Sequence, residues 1–332
     1  MTMDDAGKLD AGGGVKLGPI VVPEPQAASA QARTYLNTPF WAGEREDPHP
    51  DDIEAWKTTI AQVNAMFAPM VEAMHDSSNA DVAKTSMAGV TVYVATPRDL
   101  VAERQDKAHL HIHGGGWAYM GGEACGGQAA VQATSYGVTA YSVDYRVPPE
   151  HRFPAALDDC LAVYRELLKT YAPNNIVVSG SSAGGNLSAA LALRIKHEGL
   201  PQPAAFALLT PCSDGRMLGD TLTVNDQLDF LKAKIMAGFW AVYAGAHDRG
   251  DPYLSPAYGD FSGLTSGVLL QTGTRDLLLS DTVRLHRALR RAGVNAELHV
   301  WEAMPHGGFG GAAPEDAELT AEVMALFERN WG

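Results

Sequence analysis

Apolar and polar positions follow two different rhythms along this chain. From residue 88 onward, short runs rich in β-branched and aromatic residues alternate with segments of helical spacing. The β-rich runs cover residues 90–96, 109–113, 138–145, 175–180, 205–210, 267–273 and 296–302. Strands that alternate with helices are typical of a mostly parallel sheet covered by helices on both faces. The pattern therefore predicts an α/β protein.

Helical spacing is clearest in three segments between these runs. They cover residues 154–170, 184–198 and 281–292. Pro154 suits the first position of the first helix, and Gly293 lies just past the end of the third. Ser280 or Asp281 would cap that third helix.

Two more helical patterns lie outside the alternation. The first runs from Ile53 to Met74 and contains Pro69, which we expect to kink or break the helix because proline lacks the N–H that the helix needs. The second covers residues 230–244, in the longest gap between β-rich runs. Both patterns contain bulky apolar residues. They predict a cap over the carboxyl edge of the sheet, where open α/β sheets bind ligands.

These patterns divide the chain into three expected regions. We expect a flexible N-terminal arm over residues 1–34 and N-terminal cap helices over residues 35–80. Residues 81–332 would form the catalytic domain, with a cap insertion at about residues 212–250. Phe40 and Trp41 belong to the aromatic residues expected in the cap.

Composition narrows the class of protein and its partners. Hydrophobic residues make up 46% of the 332 residues, which suits a globular chain with a large core. The net charge of −14 repels phosphate backbones and anionic lipids, so we expect neither a nucleic acid nor a membrane as partner.

The cysteines and the N-terminus bear on the compartment. Cys125, Cys160 and Cys212 are widely spaced and form no CxxC pair, so the sequence indicates neither a disulfide framework nor a zinc knuckle. The N-terminal residues lack the pattern of a signal peptide, and no apolar run reaches 18 residues. We expect a cytoplasmic protein.

The strongest chemical signal is a G-x-S-x-G motif formed by residues 180–184. It directly follows a predicted strand and opens a predicted helix, which is the context of a nucleophile elbow. The central residue, Ser182, would sit on a strained turn with its hydroxyl exposed, and small neighbours are needed for that turn. The alternative is a glycine-rich loop without chemistry.

A run of glycines supplies the second signal. Gly114, Gly115 and Gly116 follow His113 at the end of a predicted strand. Without side chains, their backbone N–H groups can face a ligand, as the HGGG oxyanion loop does in lipases and esterases. The two motifs together favour a serine hydrolase.

Three histidines in the preceding run allow a different interpretation. His109, His111 and His113 alternate, so all three could face one side of a strand and bind a metal. No Asp-His pair follows them, however, and the next residues are glycines. We therefore favour buried strand histidines, with His113 bracing the glycine loop, and expect neither a metal nor another cofactor.

A serine nucleophile needs a base and an acid, which follow it in the order Ser, Asp or Glu, His. Asp276 lies in the loop after the 267–273 run, and His306 lies in the loop after the 296–302 run. Both positions are at carboxyl ends of predicted strands. Ser182, Asp276 and His306 are therefore the candidate catalytic triad.

Other candidates for the acid and the base are less well placed. Asp281 is the main rival acid, but a role as helix cap suits its position better. His299 lies within a predicted strand. Glu302 is close to His306 in sequence but lies at the strand end.

Several blocks together resemble the hormone-sensitive-lipase-like family of esterases over roughly residues 85–332. They are HGGGW at 113–117, YRVPPEHRFPAALDD at 145–159, GSSAGGNL at 180–187, DPYLSP at 251–256 and MPHGGF at 304–309. The resemblance implies an α/β-hydrolase fold, with a mostly parallel central sheet flanked by helices and a helical cap. One departure is Ser181, because members of the family usually have Asp or Thr before the nucleophile.

The resemblance also implies a reaction and its residues. Such proteins hydrolyse mostly short- or medium-chain acyl esters without a cofactor. Ser182 would be the nucleophile, and Gly115, Gly116 and Ala183 would supply the N–H groups of the oxyanion hole. Members are often dimers, so a homodimer is one expectation for this chain.

Two other functions remain open at this point. A lactone is a cyclic ester, so a lactone hydrolase would use the same triad on a small neutral substrate. A non-catalytic receptor for a small molecule on the same fold belongs to a different class. Such a receptor would be expected to lose a triad member, and this chain retains all three.

Overall fold

An eight-stranded sheet forms the centre of the computed structural model, which describes residues 14–15, 17–38 and 47–332. Its strands are β1 (Ala80–Met87), β2 (Val90–Pro97), β3 (Ala108–Ile112), β4 (Ala140–Asp144), β5 (Ile176–Ser181), β6 (Ala205–Leu209), β7 (Gly267–Gly273) and β8 (Ala296–Trp301). Their order across the sheet is β1-β2-β4-β3-β5-β6-β7-β8. Only β2 runs antiparallel to its neighbours β1 and β4, so the carboxyl ends of the other strands share one edge.

Nine helices accompany the sheet in the part of the chain that the structure describes. They are α1 (Ala30–Leu36), α2 (Ile53–Ser77), α3 (Glu123–Tyr136), α4 (Ala155–Leu167), α5 (Ala183–His197), α6 (Thr221–Val224), α7 (Ala233–Ala244), α8 (Leu279–Arg291) and α9 (Pro314–Asn330). Consecutive strand residues pack on opposite faces: Val178 joins the core beneath α4, α5 and α8, whereas Val177 joins the core beneath α9. The predicted α/β-hydrolase fold is confirmed.

Strand β1 was not predicted, because the sheet was expected to begin near residue 88. Its sequence, ADVAKTSM, has few apolar residues, and most of its side chains are at least partly exposed. An edge strand of an antiparallel pair packs little against the core and needs no continuous apolar run. The hydrophobic pattern is therefore weak where the sheet begins.

Two expectations about helix starts were wrong, and α2 is not broken at its proline. Helix α2 continues through Pro69. Contacts on both sides of the proline hold it against the rest of the protein: Asn64 accepts a hydrogen bond from the N–H of Met120, and Val71 packs against Gly127. The N-cap of α8 is Leu278, so Ser280 and Asp281 both lie inside the helix and neither caps it. Pro154 is the N-cap of α4 rather than its first residue.

The N-terminal region is described only in part. Residues 1–13, 16 and 39–46, including Phe40 and Trp41, lie outside the described residues, so the predicted arm and cap boundaries stay predictions. In the described part, helix α1 docks near the C-terminal helix, where Ser29 donates two hydrogen bonds to Glu315. None of the helices in the described ranges has both the length and the apolar character needed to cross a bilayer.

Candidate active site

The G-x-S-x-G motif forms the junction between β5 and α5. Ser182 adopts a φ of 58°, a conformation that costs energy for a residue with a side chain. A Cβ atom at Gly184 would collide with the carbonyl oxygen of Ile112, and one at Gly180 would collide with the backbone of Gly184. Both glycines are therefore required by the close approach of backbone segments, and the turn holds the serine at the carboxyl edge of the sheet.

The loops after β7 and β8 bring two side chains to this serine. The hydroxyl oxygen of Ser182 lies 2.9 Å from Nε2 of His306. Nδ1 of the same imidazole lies 3.0 Å from Oδ1 of Asp276. The structure thus brings together the three residues predicted as a triad, in the serine–histidine–carboxylate order that acyl transfer requires.

The surroundings of the histidine favour its charged form. Burial by itself lowers the pKa of His306, but the charge and hydrogen bond of Asp276, with the charge of Asp229, outweigh it and raise the pKa above 6.5. Asp276 is fixed in turn, because its carboxylate accepts hydrogen bonds from the Thr272 hydroxyl at 2.7 Å and from the Leu278 N–H at 2.8 Å. The acid is therefore held in place before the imidazole is charged.

The glycine loop after β3 lies beside the nucleophile. A Cβ atom at Gly114 would be 3.5 Å from Cβ of Ser182. Gly115 and Gly116 have φ values of 100° and 59°, in the region where glycine is favoured. Their N–H groups have no hydrogen-bond acceptor among the described residues, so they are available to an oxyanion. Ala183 is the first residue of α5, where helix N–H groups are unpaired.

His113 braces this loop, as predicted. Its Nδ1 lies 2.8 Å from the carbonyl oxygen of Gly114, and its ring stacks on Tyr145 with centroids 4.1 Å apart. Burial lowers the pKa of His113 to about 4, so the ring stays neutral in this role.

Aromatic side chains of the segment between β6 and β7 cover the glycine loop. Trp117, which follows the glycines, stacks on Tyr243 of α7 with ring centroids 4.5 Å apart. The ring centroid of Trp240 lies 4.4 Å from that of Trp117. The ring of Phe239 packs against Gly116. This packing connects the shape of the loop to the position of α7.

The contact with Phe239 yields a first prediction. A Cβ atom at Gly116 would lie 2.6 Å from the Phe239 ring, so Gly116→Ala should displace the loop and lower kcat by about a hundredfold, as loss of an oxyanion-hole donor does. The measurement is kcat for p-nitrophenyl butyrate, with circular dichroism to verify folding. Gly89→Ala is the matched control, because Gly89 also has a positive φ but would contact nothing within 4 Å. Equal kcat values for the two folded variants would contradict this role of the loop.

The rival acid and base candidates have other partners. Asp281 is buried, and its carboxylate accepts hydrogen bonds from the N–H groups of Ser213 and Asp214 at 2.8 and 3.0 Å. Burial raises the pKa of Asp281 to about 7. His299 is paired with Glu322, and Glu302 is exposed. None of the three takes the position of Asp276 or His306.

The strand histidines are accounted for by the neighbouring strands. Nε2 of His109 lies 2.7 Å from the Ser179 hydroxyl, and Nδ1 of His111 lies 2.7 Å from the Ser142 hydroxyl. Burial lowers the pKa of both rings, that of His109 to about 3. They pack as neutral residues in the sheet.

Groups of possible metal ligands occur at two places in the described part of the chain. In each, three ligand atoms lie within 4.8 Å of one another: His113 with Cys125 and Asp144, and Asp229 with Asp276 and His306. In the first group, Cys125 already donates to the Ser142 hydroxyl and Asp144 accepts from the Gly122 N–H. The second group contains two members of the candidate triad.

Sequence reasoning missed two residues at this site. Asp229 approaches the loops of the triad from the segment between β6 and β7, and the sulfur of Cys212 lies 3.7 Å from the Ser182 hydroxyl. Burial raises the pKa of the Cys212 thiol well above its usual value, so it stays protonated beside the nucleophile. Neither residue belongs to a recognisable motif, and only the folded chain reveals their positions.

Comparisons with known proteins agree with this geometry. A family model described as the alpha/beta hydrolase fold matches residues 109–309. The carboxylesterase NlhH of Mycobacterium tuberculosis is 33% identical over 233 residues, which are 66% of this chain and 72% of that protein. The acetyl-hydrolase of Streptomyces hygroscopicus is 31% identical over 223 residues, which are 65% of this chain and 73% of that protein.

Solved structures of esterases are similar over almost the whole chain. The esterase E25 is 33% identical and has a TM-score of 0.86, covering 96% of this chain and 99% of its own. An esterase from the bacterial hormone-sensitive lipase family is 28% identical with a TM-score of 0.75, covering 91% and 96% of the two chains. The chain therefore belongs to the α/β-hydrolase fold family, in its hormone-sensitive-lipase-like branch, and is an esterase by class.

Proposed function

We propose that this protein hydrolyses small, neutral carboxylic esters with short or medium acyl chains, using Ser182, His306 and Asp276 as its catalytic triad. The observation that carries the proposal is the continuous hydrogen-bonded path from the Ser182 hydroxyl through both nitrogens of His306 to Asp276. The relatives named carboxylesterase and acetyl-hydrolase support the substrate class.

The reaction consists of two acyl transfers. Nε2 of His306 accepts the hydroxyl proton while Ser182 Oγ attacks the ester carbonyl, and Asp276 stabilises the resulting imidazolium. Backbone N–H groups of Gly115, Gly116 and Ala183 bind the oxyanion. His306 then protonates the leaving alcohol. Water, deprotonated by His306, attacks the acyl-enzyme in the second half, which releases the acid and returns the proton to Ser182.

The shape of the site underlies the prediction about acyl length. Phe230, whose ring centroid is 6.1 Å from that of His306, and Phe239 bring bulky rings close to the reacting groups. Each methylene buried in an apolar pocket contributes about 0.8 kcal/mol until the pocket is full. Further methylenes then cost about 1–3 kcal/mol through overpacking. We expect kcat/KM to rise from acetate, reach a maximum at a short or medium chain and fall steeply by palmitate.

The test of acyl length is a series of p-nitrophenyl esters from acetate to palmitate, compared with emulsified triglyceride. The acidic surface adds a preference for neutral esters over anionic ones. Highest activity on palmitate, or strong activation at the oil–water interface, would identify a lipase instead.

The pH dependence follows from the state of the base. His306 accepts the serine proton only when neutral, so kcat/KM should rise with pH through the pKa of this residue in the free enzyme. Because Asp276 and Asp229 raise that pKa, the half-maximal value should lie above pH 6.5. The measurement is kcat/KM for a neutral ester between pH 5 and 9. A profile without this acidic limb would argue against histidine as the base.

A further inference from the structure

Asp229 lies in the segment that joins α6 to α7, outside the three residues of the triad. Its side chain is buried, with 4% of its surface exposed. Oδ2 accepts hydrogen bonds from the N–H groups of Leu277 at 2.6 Å and His306 at 3.1 Å. Oδ1 accepts one from the N–H of Leu231 at 3.2 Å. A buried carboxylate surrounded in this way by backbone donors is held firmly in place.

These bonds join three parts of the active site. Leu277 directly follows Asp276 in the loop after β7, and His306 itself lies in the loop after β8. Leu231 belongs to the same segment as Asp229, next to Phe230, whose ring approaches the imidazole. The carboxylate of Asp229 therefore connects the loop of Asp276, the loop of His306 and the segment that joins α6 to α7.

The charge of Asp229 also acts on the base. A carboxylate oxygen of Asp229 and the ligand atoms of Asp276 and His306 lie within 4.8 Å of one another. Burial raises the pKa of Asp229 to about 6; His306 opposes this change and Asp276 adds to it. At neutral pH and above, the imidazole thus has two negative carboxylates beside it.

We propose that Asp229 is a positioning residue, which holds the loops of Asp276 and His306 in register and supports the imidazolium with a second negative charge. This inference rests on the proposed function. The inference adds to that function by explaining how the segment between α6 and α7, which lies outside the sheet, helps to order the triad.

Other ionisable groups lie around Asp229 and His306 on the surrounding elements. They are Asp276 from the β7 loop, Cys212 beside Ser182, Tyr35 from α1, Asp316 near Tyr35, and Lys232, whose Nζ donates to the main-chain oxygen of Asp229. The pKa of Tyr35 is raised to about 12 by burial and by nearby carboxylates, and Cys212 also stays neutral. Loss of the Asp229 charge should therefore lower the pKa of His306, because the Asp229 carboxylate is one of the two negative charges that raise it.

The decisive variant is Asp229→Asn, which keeps the size of the side chain and removes the charge. The amide also replaces one acceptor with an NH₂ group that faces backbone donors. We expect kcat to fall by about tenfold to a hundredfold, the range that a small misplacement of catalytic groups produces. We also expect the acidic limb of kcat/KM to move to lower pH. A purely structural role would lower stability without moving this limb.

Asp226→Asn is the matched control. It makes the same change three residues earlier, where the carboxylate accepts hydrogen bonds from the N–H of Ala233 and the side-chain amide of Gln227 rather than from the loops of Asp276 and His306. We expect kcat and the acidic limb of this variant to stay at their wild-type values. Wild-type kcat and pH dependence in a folded Asp229→Asn variant would overturn the inference.

Asp229→Glu covers the case in which the asparagine variant does not fold. It retains the charge but displaces the carboxylate by one methylene. A reduced kcat with an unchanged acidic limb would support the inference, and a wild-type kcat would overturn it. Esterase activity of the wild-type protein distinguishes a failure of the proposed function from a failure of the inference about Asp229. Its absence would overturn the proposed function and this inference together, whereas an active wild type with an equally active Asp229→Asn variant would overturn this inference alone.

Discussion

Ser182→Ala should reduce kcat for p-nitrophenyl esters by about a million-fold, the loss seen when the nucleophile of a comparable triad is removed. The physical reason is that no other hydroxyl takes the position 2.9 Å from Nε2 of His306 in the described structure. Folding should be preserved, because alanine can occupy the turn at least as easily as serine. Steady-state kinetics with circular dichroism measures both effects.

The neighbouring serine provides the control for this variant. The hydroxyl of Ser181 lies 3.5 Å from that of Thr210, whereas the hydroxyl hydrogen-bonded to His306 is that of Ser182. Ser181→Ala should therefore keep a kcat of the same order as the wild type. If Ser182→Ala retained more than about a tenth of the wild-type rate, Ser182 would not be the nucleophile.

Asp276→Asn should lower kcat by about ten-thousand-fold, as the equivalent change does in a serine protease. The asparagine amide would favour the wrong tautomer of His306 and would no longer stabilise the imidazolium. The measurement is kcat at the pH optimum, together with KM, which should change much less because Asp276 is buried beneath the imidazole.

Asp281→Asn is the matched control for the acid. Asp281 follows the same strand and is also buried, but its carboxylate binds the backbone at Ser213 and Asp214. We expect kcat near the wild-type value. Because the pKa of Asp281 is raised to about 7, its ionisation lowers the free energy of unfolding of the wild type as pH rises from about 4 to about 7. Asparagine does not ionise, so the free energy of unfolding of the variant should increase relative to that of the wild type over this range. A large loss of kcat in Asp281→Asn, with Asp276→Asn active, would transfer the role of the acid to Asp281.

The sequence was sufficient to predict those strands and site positions that the local residue pattern determines. Strands β5 and β7 read as apolar runs because parallel strands inside a sheet are buried on both faces. The edge strand β8 is only partly buried, but its residues still have a β-rich pattern. A loop that follows a parallel strand must lie at the carboxyl edge of the sheet. That rule, together with the G-x-S-x-G motif and the order Ser, Asp or Glu, His, predicted the positions of Ser182, Asp276 and His306. Their catalytic roles stay predictions until they are tested.

The sequence was insufficient to predict those elements and contacts that depend on packing between distant parts of the chain. The edge strand β1 has no apolar run, and α3 is built largely from small residues with little amphipathic contrast. Helix α2 passes through Pro69 because tertiary contacts hold both of its halves. Asp229 has no motif, because its function in the fold is defined by backbone donors almost fifty and almost eighty residues away in sequence.

The most direct test of the central claim is covalent labelling of the wild-type protein with a fluorophosphonate, followed by peptide mass spectrometry. Such a probe reacts with a serine that a neighbouring base has activated. The account predicts stoichiometric modification of Ser182, which Ser182→Ala abolishes and which an excess of ester substrate slows while it competes for the same oxygen. Modification of another residue, or a fully folded and esterase-active protein in which Ser182 stays unlabelled, would contradict it.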